Sequence, residues 1–156
     1  MRVDPGSSDE VSAAGLRIGV VTSTFNRGIT DGLRDGAIAW LEAADADEIL
    51  VLDAPGAFEL PVIAQKLAEV GYDAVVCLGA VVEGETDHYH HVASRTAEGL
   101  MRVQLDTGIP VAFGVLTVRH IEHAELRSKP GVHNKGREAA IAAVTTANTL
   151  RAIPSG

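Results

Sequence analysis

The chain has 156 residues, 46% of them hydrophobic and 22% charged, enough for one domain with a real core. Thirteen Lys and Arg against 21 Asp and Glu give a net charge of −8, which argues against nucleic-acid binding and against anionic membranes. Any phosphate-bearing ligand then needs a local cationic site. No apolar run reaches the roughly 20 residues of a membrane span. No basic and apolar leader opens the sequence, and a single cysteine, Cys77, fits a reducing compartment, so a cytoplasmic location is expected.

Residues 1–14 are polar, with Pro5, Gly6, Ser7 and Ser8, and read as a flexible arm outside the core. Residues 15–156 read as one domain. A β-branched apolar run predicts a strand over Leu16–Thr22. Apolar residues at helical spacing, among them Leu33, Ala37, Trp40 and Leu41, predict a helix over Thr30–Ala44. A second strand follows at Glu48–Leu52 and a second helix at Phe58–Val70. The third strand is Asp73–Leu78 and the third helix His88–Leu105. A fourth strand, Pro110–Leu116, leads to a short helix at Glu122–Arg127 and a closing Ala-rich helix at Lys135–Ala152. Strands that are near-continuous apolar runs and alternate with helices predict a parallel sheet covered on both faces. The fold class is therefore α/β, a flavodoxin-like three-layer α/β/α sandwich with four parallel strands. In such sheets ligands bind beyond the carboxyl ends of the strands.

Three loops and one later segment carry the candidate chemistry. After the first strand, Thr22-Ser23-Thr24-Phe25-Asn26-Arg27-Gly28 lacks the G-x-G-x-x-G dinucleotide pattern. It places a large aromatic ring, Phe25, in a polar loop. That ring either caps the core or offers a flat face to a heterocycle. After the second strand, Asp53-Ala54-Pro55-Gly56-Ala57-Phe58-Glu59 combines a turn signal with small residues that admit a ligand to the backbone. Glu59 either complements a helix dipole or accepts hydrogen bonds from a polyol. After the third strand, Gly79 to His91 offers backbone N–H groups at a helix start and places His88 there. Glu83, Glu85 and Asp87 oppose an anion at that point. The segment Arg127 to Lys135 is a cationic cluster in an acidic chain. His88 with His91, and His120 with His123, have the spacing of a helical ligand pair. No H-E-x-x-H pattern accompanies them, and no metal is expected.

In order and spacing these segments resemble the lumazine synthase family of riboflavin biosynthesis. The matching pieces are Phe25-Asn26, Pro55-Gly56-Ala57-Phe58-Glu59-Leu60-Pro61, Gly84-x-Thr86-x-His88, Phe113-Gly114-Val115-Leu116-Thr117 and Asn134-Lys135-Gly136-x-Glu138-Ala139-Ala140. The resemblance implies a transferase that joins 5-amino-6-(ribitylamino)uracil to 3,4-dihydroxy-2-butanone 4-phosphate without a cofactor. It assigns proton transfer to His88 and the aminouracil to Phe25, Ala57, Phe58, Glu59, Ala80, Val81, Val82, Phe113 and Lys135. It assigns the phosphate to Glu85, Thr86 and Arg127. It also implies homopentamers, which in some members form decamers or icosahedral shells, with Phe113, Arg127 and Lys135 reaching the site from a neighbouring subunit. The competing expectation is a flavodoxin-like flavin or nucleotide carrier without transferase activity.

Overall fold

The computed structural model describes residues 10–156. Its elements are β1 (Arg17–Ser23), α1 (Arg27–Ala43), β2 (Glu48–Ala54), α2 (Leu60–Glu69), β3 (Ala74–Val82), α3 (His88–Thr107), β4 (Val111–Val118), α4 (Ile121–Ser128) and α5 (Lys135–Ala152). The four strands form one parallel sheet in the order β2-β1-β3-β4, the expected three-layer, flavodoxin-like α/β/α arrangement. Successive side chains of a strand face opposite layers. Ile18, Val20, Ala74, Val76 and Leu78 pack on the layer of α1, α4 and α5. Val21, Val75 and Cys77 pack on the layer of α2 and α3. Cys77 is fully enclosed, and burial pushes its thiol up to about 12, so it is inert at neutral pH. None of the described helices is long and apolar enough to cross a membrane.

Several boundaries differ from the sequence expectation, each for a local reason. β3 was expected to end at Leu78. It continues through Gly79 because β4 stays paired with it as far as Val82↔Val118. α2 begins later than expected, since Ala57–Glu59 forms a single 3₁₀ turn before the Pro61 end of the helix. β2 is an edge strand, and Val51 on it is exposed, so coverage on both faces holds for the inner strands and not for this one. Of the arm expected over 1–14, residues 1–9 lie outside the described residues. Ala13 is buried and donates its N–H to the Ala44 carbonyl at 2.7 Å, with Val11 packed beside the same core.

At the amino ends of the strands, Glu48 joins Arg17 and Tyr72. Arg17 Nε donates to its carboxylate at 2.6 Å and Tyr72 Oη at 2.9 Å, with the guanidinium 4.5 Å from the Tyr72 ring centroid. The hydrogen bond from Arg17, then that from Tyr72, holds the Glu48 carboxyl below the usual carboxylate range. The folded chain therefore takes up that proton less readily than the unfolded chain. The stability gained is present above the ordinary carboxylate range and is lost as pH falls through the folded value. Glu48→Gln should lower the Tm near neutral pH and converge with wild type in acid, once the pH is below the lowered folded value of Glu48. An equal loss of Tm at both pH values would assign the effect to packing instead.

Candidate active site

The sheet order reverses direction at β1 and β3, and the cleft opens there, beyond the carboxyl ends of the strands. Two ties fix the loop after β1. The Thr24 N–H donates to the Ala54 carbonyl at 2.8 Å, and Asn26 Nδ2 donates to the Ala80 carbonyl at 3.1 Å. Asn26 is left-handed, with φ 61°, a conformation that Asn tolerates better than other side-chain-bearing residues. The chain thus turns directly from strand to helix and leaves Phe25 standing in the open. On the opposite wall, β1 pairing stops at Thr22↔Leu78 while β3 runs on. The backbone of Ala80 to Val82 therefore has no strand partner on its β1 side.

Around this opening Phe25, Ala57, Phe58, Glu59, Ala80, Val81, Val82, Thr86 and His88 line one cleft of about 670 Å³. Three loops distant in sequence supply them. His88 opens α3, its backbone N–H 3.4 Å from Thr86 Oγ1. The N-cap residue Asp87 makes no side-chain cap to that turn, and a helix start of this kind suits an anion. Glu85 is exposed and does not border the cleft.

The remaining candidates lie elsewhere. Phe113, Arg127 and Lys135 line a second groove of about 500 Å³ along β4, which is a free edge of the sheet. The two linings share no residue. In the groove Lys135 Nζ pairs with Glu138 at 2.8 Å, and that carboxylate is buried. Arg127 is exposed, with one guanidinium N–H on the His123 carbonyl at 2.9 Å, so other donors remain for a ligand. All three Phe of the chain are out of the core: Phe25 is 69% exposed, Phe58 60% and Phe113 48%. Each borders one of these two clefts. Among the described residues, no three His, Cys, Asp or Glu side chains converge as metal ligands would.

A model of the 6,7-dimethyl-8-ribityllumazine synthase family matches residues 15–151. The chain belongs to this family. Membership carries the lumazine synthase function of riboflavin biosynthesis at the level of the family.

Phe25, Ala57, Phe58, Glu59, Thr86 and His88 of the cleft lie in the segments that carry the lumazine synthase resemblance. Other residues of this family member were given no substrate-site role from sequence, and the structure brings them to the site or to its supports. Tyr89, His91 and Val92 complete the α3 wall of the cleft. Asn26 has the tie to Ala80 described above. Gly136 is a matter of space, since a Cβ there would land on the Leu33 carbonyl oxygen. α5 can start against α1 only without a side chain at that point, and the start of α5 places Lys135. The signal was present as a glycine repeat on α1, with Gly28, Gly32 and Gly36 one helical turn apart. Gly136→Ala should destabilise the protein by about 1–3 kcal/mol through overpacking. Gly28→Ala, whose Cβ meets open space, should be neutral or add up to about 1 kcal/mol of helix propensity. Denaturant melts of the pair check this, and equal effects would refute close packing at Gly136.

Proposed function

We propose that this lumazine synthase family member is a transferase that condenses 5-amino-6-(ribitylamino)uracil with 3,4-dihydroxy-2-butanone 4-phosphate, releasing phosphate and water. The observation that carries the reading is the exposure of every Phe beside a cleft. Large apolar rings left in water are unfavourable unless something covers them, and a flat heterocycle between aromatic walls does so.

In this reading Phe25 stacks on the pyrimidine, with Ala57 and Phe58 along its edge. The open backbone of Ala80, Val81 and Val82 meets the ring's polar edge, and Glu59 takes the ribityl hydroxyls. The phosphate rests at Thr86, just before the start of α3, while the Glu85 N–H expected beside it lies outside the cleft lining. The uracil's own amine attacks the ketone, so the carbon–nitrogen bond forms without an enzyme nucleophile. Water leaves as the imine forms, phosphate leaves by elimination, and ring closure expels a further water. Each step moves protons, and His88 is the residue placed to relay them, a contribution of about 10²–10⁴-fold. Holding the two reactants together supplies about 7–11 kcal/mol more.

Phe113, Arg127 and Lys135 act in this scheme from the neighbouring subunit of a homopentamer. A groove separate from the His88 cleft supports that division. A ring repeats one heterologous interface, so the groove of each copy meets the cleft of the next. Arg127 then supplies the cation that the acidic first half-site lacks.

Incubation with both substrates should yield a fluorescent lumazine and free phosphate in equal amounts. No product at saturating substrate would overturn the function. His88→Ala should lower kcat by about 10²–10⁴-fold, the range for general acid–base catalysis, while the aminouracil still binds. An unchanged kcat would remove His88 from the chemistry.

A further inference from the structure

Between Arg127 and Lys135 in the chain, the two cations of the groove, lies a buried amide side chain. Asn134 is 2% exposed. Its Nδ2 donates to the carbonyls of Ser128 at 3.0 Å, Lys129 at 3.0 Å and Gly32 at 3.1 Å. Its Oδ1 accepts the Arg137 N–H at 3.0 Å and so caps α5. Three carbonyls can face only the amide nitrogen, and one N–H only the amide oxygen, so the partners fix the orientation of the group. Ser128 and Lys129 end α4, where carbonyls lack helical partners. Arg127 immediately precedes those carbonyls, and Lys135 immediately follows Asn134. α1 makes room for the amide. A Cβ on Gly36 would lie 2.5 Å from Asn134 Cγ and 2.8 Å from its Nδ2, and a Cβ on Gly32 would strike the Ser128 carbonyl oxygen.

We infer that Asn134 is the positioning residue of the groove's half-site, where the proposed function puts Arg127 on the phosphate and Lys135 on the aminouracil. It sets the Arg127 end of α4 and the Lys135 start of α5 at one fixed separation against α1. The inference rests on the proposed function for what the two cations hold. Asparagine is required because both functions of the amide are used. Aspartate keeps the cap on α5 and turns an oxygen toward three carbonyls. Serine is too short to span from the cap to α1.

The test uses the full-length protein. In Asn134→Asp, the KM for the butanone phosphate and the inhibition constant of inorganic phosphate should each rise about tenfold, the scale of one lost charge-assisted hydrogen bond. kcat should change less than KM, as expected where binding rather than chemistry is disturbed. Gly36→Ala displaces the amide from the other side while favouring the helix. It should shift the same two constants, and it serves where Asn134→Asp does not fold. Ile18→Ala, a buried change on the opposite end of β1, should lower the Tm and leave both constants alone. Constants unchanged in a folded Asn134→Asp or Gly36→Ala protein would overturn the inference. An equal rise in Ile18→Ala would also overturn it. Amide hydrogen exchange separates this result from the reaction itself. Residues 129–136 should lose protection in Asn134→Asp while β3 keeps it, even if wild type makes no lumazine. Unchanged protection there would overturn the clasp.

Discussion

The approach of α1 to the start of α5 is the constraint on which the rest of the site depends. Gly136 lets the two backbones meet, and Gly36 leaves room for the Asn134 amide between them. Glycines inside a helix cost about 1 kcal/mol each relative to alanine, so α1 and α5 carry them at the expense of their own stability. What they permit is a rigid junction of three helices at one corner of the groove. The sheet fixes the other half of the site in a different way. β3 outruns β1, and the loop after β1 is tied across the gap at Ala54 and Ala80. One half is thus built by helix packing and the other by unequal strand lengths.

Neither half is enclosed. Phe25 and Phe58 stand exposed at one cleft and Phe113 at the other. The groove follows β4, an edge strand, whose unpaired backbone invites covering. Under the proposed function this division suits an acidic chain that must hold a phosphate. The N–H groups at the start of α3 lie among Glu83, Glu85 and Asp87, and Glu83 is already engaged by Arg119 at 3.5 Å. In the proposed pentamer the cation for the anion is carried on the groove of another copy, apart from those carboxylates.

The periodic elements were legible because their cores are simple. Near-continuous apolar runs along β1 and β3 and the spacing of Leu33, Ala37 and Trp40 on α1 gave strand and helix directly. Boundaries were less legible where a glycine or proline has two meanings. Gly79 reads as the end of a strand, yet it is an inner strand residue packed beside Ser23 and Val115. Phe25 could have been a core cap, and only its exposure decides against that. Lys135 and Glu138 read as an ordinary helix pair, and the burial of the carboxylate in the groove became visible only in three dimensions. The work of Asn134 was not legible at all, since Gly32 is far from it in sequence and the contact depends on how two helices cross.

The central claim is that a working site needs His88 from one copy and Arg127 from the next. His88→Ala and Arg127→Ala proteins, each nearly inactive alone, can be unfolded and refolded together in equal amounts. Random assembly makes a boundary intact when one specified neighbour is the first variant and the other is the second. The account predicts that about a quarter of the sites recover in a heterologous ring. Mixed rings that demonstrably form yet stay at the activity of the separate variants would contradict it.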